Sequence, residues 1–204
     1  MSKILTSVLA AAAMSLPALA MAADYQIDTS HSNASFKVRH MMVSTVQGEF
    51  GKLTGTASYD PKNPEKIAID AVIDATTINT REPKRDAHLK SPDFFDVEKH
   101  PTLTFKSKSA KAKGPGKLEV TGDLTMHGVT KPVTFLVEGL DQEVTDPWGG
   151  SRLGGTATTK INRKDFGLNW NKALEAGGVM VSDEVSITVD VELVKQAPAK
   201  SAEK

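Results

Sequence analysis

Beyond Asp24 the chain alternates apolar and polar residues with a period of two, the pattern of strands that bury one face. Across residues 35–41, Phe36, Val38 and His40 share one side while Lys37 and Arg39 take the other. The run IAIDAVID puts Ile67, Ile69, Ala71 and Ile73 on one face, with Asp70 and Asp74 opposite. The sharpest alternation comes last: Val185, Ile187, Val189, Val191 and Leu193 stand against Ser186, Thr188, Asp190 and Glu192. A one-residue slip there would expose the whole apolar row, so its register is strongly specified. Weaker alternations cover residues 103–107, 118–126, 133–137 and 156–161. With residues 45–59 read as one long Gly-bent strand or a strand pair, about eight strands result, the count of a sandwich or a barrel.

Turn chemistry separates these runs: Asp60-Pro61 to Asn63-Pro64, Gly114-Pro115-Gly116, Asp146-Pro147 and Gly149-Gly150. Such short connections predict antiparallel neighbours. Gly48, Gly51, Gly55 and Gly122 lie inside strand patterns, where a sheet bends or bulges, although ordinary turns explain Gly51 and Gly55 equally well. Two segments break the pattern. Residues 80–91 predict a short helix capped by Thr80, with Pro83 in its first turn and Pro92 as its stop. Residues 171–176 predict a second, closed by Gly177-Gly178. The ending QAPAKSAEK, residues 196–204, has nothing to bury and reads as a disordered tail.

The start of the chain is of another kind. Lys3, an apolar run interrupted by Pro17, and small residues at Ala20 and Ala22 form a secretory signal peptide over residues 1–22, cut after Ala22. The run is too short and too broken for a membrane anchor, so no stable membrane insertion is expected after cleavage. A periplasmic destination follows, with one domain over residues 23–195. Composition narrows the rest. The 25 basic residues equal the 25 acidic ones, which leaves no basic field for nucleic acid, and the absence of cysteine excludes disulfides and lipidation. The pattern is also compatible with a homodimer.

Catalytic chemistry finds little support. His31, His40, His88, His100 and His127 fall in different elements or loops, none at the spacing of a helical zinc motif, so no metal is expected. There is no cysteine thiolate and no Gly-x-Ser-x-Gly elbow, and Asp86 and His88 would point to different sides of a helix. Asp93 and Asp96 read as solvated loop carboxylates. No phosphate cradle opens a helix, and no cofactor is implied. Periodicity alone leaves two arrangements open: sheets packed face to face with a filled interior, or about eight strands closed around room for a slender ligand.

Longer wording in the chain is more specific. SFKVRHMMVSTVQGEFGKLTG from Ser35, RDAHLKSPDFFDVEKHPTLTF from Arg85, VTGDLTMHGVTKPVTF from Val120 and INRKDFGLNW from Ile161 together resemble the YceI family of exported lipid-binding proteins. The resemblance spans nearly the whole chain after the leader, from Tyr25 to about Leu193. It implies an all-β fold: an extended, eight-stranded antiparallel, lipocalin-like β-barrel with one or two short helices, whose lumen takes a polyisoprenoid or similar amphiphilic lipid. It implies no catalytic residues. In such a barrel the inward members of the alternations become candidate lining: Phe36, Val38, Val46, Phe50, Ile69, Ile73, Leu103, Phe105, Leu124 and Phe135, with His40 as an inward polar group and Trp170 at a barrel end. Arg81, Arg85 and His88 are head-group candidates at a mouth, against a structural role for residues 85–101 as a seal on the barrel edge. Two other functions stay in view: a structural or stress-protective protein acting through its surface, and an enzyme on a quinone-like or lipid substrate.

Overall fold

The computed structural model describes residues 22–175 and 177–197. The expected signal peptide, up to Met21, and the last seven residues of the expected tail lie outside this range. Twelve strand segments follow in chain order, beginning with β1 (Ala23–Ile27), β2 (Asn33–His40), β3 (Ser44–Phe50) and β4 (Leu53–Tyr59). Next come β5 (Ala68–Asp74), β6 (Ile78–Asn79), a helix α1 (Pro83–Lys90) and β7 (Thr102–Gly114). The chain continues through β8 (Lys117–Met126), β9 (Val129–Glu138), β10 (Glu143–Thr145), β11 (Ser151–Asn162) and β12 (Val181–Lys195). Every strand pairing among the described residues is antiparallel, and the contact of β11 with β12 closes the sheet on itself.

The closed sheet is an eight-stranded β-barrel in which four strands are broken, one of them β9 with β10, which pair in succession with β11. β1 and β2 both pair with β12, as Tyr25↔Lys195 and Val38↔Val185, and act as another interrupted strand. β3 and β4 form a third, against β2 and β1. β5 and β6 form the fourth, with Ala75, Thr76 and Thr77 in a 3-10 turn between them. The reading of residues 45–59 as a strand pair is therefore the one realised, with the break at Gly51. β12 is the keystone. It pairs with β11 from Arg152↔Val194 to Asn162↔Glu184, and with β1 and β2 on its other flank.

The helix and its surroundings cover one side. Pairing of β5 with β7 stops at Asp74↔Thr102; the chain then runs through β6, paired with β3, and leaves the sheet for α1 and residues 91–101 before returning as β7. Pro83 opens α1, as expected, but the cap is Glu82, whose carboxylate accepts from the amides of Lys84 and Arg85. Thr80 instead binds Asp86 Oδ1 through its hydroxyl at 2.5 Å and its amide at 2.8 Å.

The second expected helix is not formed. Ala173 bridges Val179, Met180 N donates to Lys172 O at 2.9 Å, and the chain turns at Leu174, whose carbonyl accepts from Gly177 N at 2.9 Å. The Asn171 amide explains the difference, because it donates to Val181 O at 2.7 Å and accepts from Val181 N at 3.1 Å, standing in for a backbone ladder partner. Gly177 and Gly178, at φ 83° and 96°, form the tip of this hairpin instead of a helix stop.

Candidate functional site

Alternation sends every second side chain of a closed barrel inward, and here the inward side chains leave space. A cavity of about 220 Å³ runs from Ile67 and Leu140 at one end to Phe94 and Leu168 at the other. For scale, an apolar cavity of about 150 Å³ takes a benzene ring. The inward row of β12, from Val185 to Leu193, supplies one continuous wall. At about 3.3 Å per residue it extends for roughly 26 Å, the shape of a slot for a chain and not for a compact molecule.

Two glycines make the aromatic part of the wall possible. A Cβ on Gly48 would stand 2.4 Å from the Phe36 ring, and one on Gly122 would stand 2.6 Å from the Phe105 ring. Each ring lies across a neighbouring strand where no side chain stands, which packs a large apolar group flat against the wall. Phe36 then meets Phe50 at 5.9 Å between centroids, and Phe105 meets Phe135 at 5.0 Å. These pairs prefer tilted or edge geometries, as found.

The structure brings most of the sequence-derived lining candidates to this one space: Phe36, Val38, Phe50, Ile69, Ile73, Leu103, Phe105, Leu124 and Phe135 all border the cavity. Three candidates lie elsewhere. Val46 pairs with Val38 but does not itself border the cavity, and His40 sits at the end of the β2–β3 hairpin, paired with Ser44 and Val181. Trp170 packs outside the wall, 5.3 Å from Phe94 and 5.0 Å from His88 between centroids. Alternation identified the correct face for Val46 and His40 but not where along the strand the lumen ends.

The head-group candidates also stand off the wall. Arg85 donates from Nε to Thr80 Oγ1 at 2.7 Å and from Nη2 to Thr80 O at 2.8 Å, so it braces the entry to α1. His88 Nε2 lies 2.9 Å from Asp93 Oδ2, and Arg81 is exposed at φ 64°. Of α1, it is Leu89 that reaches the cavity.

The charged group that does border the lumen is Arg163, only 4% exposed. It donates to the carbonyls of Ser182 and Trp170 at 2.9 Å each, to that of Leu168, and more weakly to that of Val181 at 3.4 Å. Burial lowers its pKa from the ordinary arginine range, and the nearby Asp183 carboxylate opposes that shift. Its donors are thus spent on the chain, fastening residues 168–170 to the start of β12. Arg163 was not among the sequence candidates, and neither was the β12 row, whose alternation was the strongest signal in the chain.

Tyrosines close the opposite end. Tyr25 is 2% exposed and donates to Glu143 Oε2 at 3.1 Å; burial, then that contact, pushes its phenol up to about 12. Burial also raises the Tyr59 phenol, helped by the charges of Asp141 and Asp60. On the same side Arg152 gathers Asp28, Asp146 and Glu192, and hydrogen bonds from Ser30, His31 and Arg152 hold the Asp28 carboxyl far below the usual carboxylate range.

The expectation that the histidines stay apart needs correction. His100 and His127 meet at 5.3 Å between ring centroids, and Asp96 joins them. Asp96 is 7% exposed, not a solvated loop carboxylate. The meeting was invisible in the sequence because β8 carries His127 back to the segment that holds His100.

Comparisons with known proteins agree with this architecture. The model of the YceI-like domain matches residues 25–193. A UPF0312 protein of Vibrio cholerae is 45% identical over 172 residues, covering 82% of this chain and 89% of that one. The crystal structure of the Campylobacter jejuni YCEI protein superposes with a TM-score of 0.66 at 26% identity, covering 78% and 90% of the two chains. A polyisoprenoid binding domain from Saccharophagus degradans, 17% identical, shares the fold with a TM-score of 0.62 over 86% of this chain and 99% of that one. An eight-stranded barrel with an apolar lumen, matched from Tyr25 to Leu193 by the same domain model, makes this chain a member of the YceI family.

Proposed function

We propose that the chain binds a polyisoprenoid or similar amphiphilic lipid, with the hydrocarbon chain in the barrel lumen, and carries or stores it in the periplasm after export. The observation that carries this reading is the continuous apolar cavity, whose wall offers polar side chains only at Ser35, Thr104 and the fully engaged Arg163. Each methylene-sized unit moved from water into such a space gains about 0.8 kcal/mol, so a few isoprene units offset the cost of ordering a flexible chain. Among the described residues the wall carries apolar side chains with no carboxylate or imidazole, a lining suited to holding a hydrocarbon chain. The name of the Saccharophagus degradans domain points to the same ligand class.

Purification from the native host, organic extraction and mass spectrometry test the reading. An isoprenoid lipid should be recovered from the wild-type protein and lost from a folded Phe105→Asp variant. Protein that is repeatedly free of lipid, and that takes up no added long-chain isoprenol, would overturn it. Export is tested separately by the mass of the mature chain, expected to begin at Ala23.

A further inference from the structure

At the α1 end of the barrel, Asp96, His100 and His127 each offer one ligand atom, and these atoms lie within 4.8 Å of one another. Asp96 and His100 belong to the segment that covers the gap between β6 and β7, where His100 N donates to Asp96 O at 2.8 Å. His127 stands in the β8–β9 turn. Both Asp96 and His127 adopt left-handed backbone, at φ 46° and 52°, which non-glycine residues hold only where the surroundings enforce it.

The hydrogen bonding leaves these groups free to ligate. His127 Nδ1 lies 3.2 Å from the Phe166 carbonyl, which can only accept; the proton therefore sits on Nδ1 and a lone pair remains on Nε2. A carbonyl holding the second ring nitrogen is the usual support of a metal-bound histidine. The His100 ring makes no hydrogen bond among the described residues, and its approach depends on Gly128, where a Cβ would lie 2.7 Å from His100 Cε1. The buried Asp96 side chain has Lys99 Nζ at 2.9 Å as its ion-pair partner, on a lysine that is 72% exposed and contributes little.

We propose that Asp96, His100 and His127 bind a divalent transition metal, zinc fitting best, with a fourth position open to water or an incoming ligand atom. Two imidazoles and a carboxylate are a donor set of open zinc sites, and tetrahedral bonds of about 2.1 Å place ligand atoms roughly 3.4 Å apart, within reach by side-chain rotation. The metal would fasten residues 91–101, which carry the cavity residues Phe94 and Phe95, to the β8–β9 turn. The other cluster of this kind, Asp28, His31 and Glu192, already has a cation between its carboxylates, because Arg152 Nη1 contacts both. It therefore serves as an internal control.

The test uses untagged protein stripped with chelator, titrated with Zn²⁺ by calorimetry, and with Co²⁺ for its visible ligand-field bands. Wild type should bind one Zn²⁺ per chain with micromolar or tighter Kd and gain thermal stability in proportion to ligand excess. Asp96→Asn, His100→Gln and His127→Gln should each weaken binding about tenfold or more, and His31→Gln should not. Asp96→Asn keeps a side chain that tolerates left-handed backbone, and circular dichroism verifies that each variant is folded. Absence of saturable binding in wild type, equal binding in the three variants, or loss in His31→Gln would each overturn the proposal without touching the lipid reading.

Discussion

Several single residues in this barrel are placed where their own preferences oppose them. Met41 and Met42 occupy the two central positions of the turn closed by Val43 N to His40 O at 3.1 Å, at φ 49° and 62°. A tight turn with both φ values positive favours Asn-Gly, and left-handed backbone costs an ordinary residue roughly 1–2 kcal/mol. Met41→Asn with Met42→Gly should therefore stabilise the protein by about 1–2 kcal/mol, read as a higher urea midpoint at unchanged m-value. Glycines predict the reverse. At Gly55, φ is 142° and a Cβ would stand 2.1 Å from the Asp70 carbonyl, a backbone atom; at Gly48 the obstacle is the movable Phe36 ring. Gly55→Ala should cost more than Gly48→Ala, the latter falling near the 1–3 kcal/mol of ordinary overpacking, and equal midpoints would contradict this ranking.

Among elements, the stretch that leads from Leu168 to Trp170 and on to the start of β12 depends on one side chain. Arg163 supplies donors to carbonyls at both ends of it, at Leu168, Trp170, Val181 and Ser182. Arg163→Met removes those donors and leaves buried carbonyls unpaired, at about 1–3 kcal/mol for each group that water cannot reach. Hydrogen exchange should show early loss of protection across residues 167–182, with β8 and β9 still protected. Uniform loss across the barrel would mean that this segment is not held separately. α1 contributes in another way: it is a polar helix stabilised by Pro83 and the Glu82 cap, whose Leu89 completes the lumen wall.

At the scale of the whole molecule, closure joins the two ends of the chain. Tyr25 pairs with Lys195, and β12 lies between β11 and the β1–β2 strand. Truncation before Val181 removes the strand that both neighbours need, so the product should lack a cooperative thermal transition; a sharp transition would show that the barrel closes without β12. Alkaline pH probes the same end. The chain has two tyrosines, both buried and both with raised pKa. A phenol with a folded pKa above its unfolded value of about 10 supports folding below that pH and loses this contribution as pH rises through the folded value. Phenolate absorbance should therefore stay low at pH 10 in the native protein, and stability should decline as pH rises from 10 towards 12.

Periodicity in the sequence determined the strands and their inward faces, because a period of two is a local property and burial of one face pins the register, and the short turns determined that neighbours run antiparallel. Phe36, Ile73 and Phe105 could be assigned to inward faces on that basis, and to a common wall through the barrel that the YceI resemblance implied. Tertiary structure decided where the wall begins and ends, which is why His40, Val46 and Trp170 fall outside it. It also decided that Asn171 extends a strand where Gly177-Gly178 suggested a helix stop, and that Arg163 turns to backbone carbonyls. The meeting of Asp96, His100 and His127 is of the same kind. Contacts between residues distant in the chain leave no trace in local pattern, because they follow from how the closed sheet curves and not from the order of neighbouring side chains.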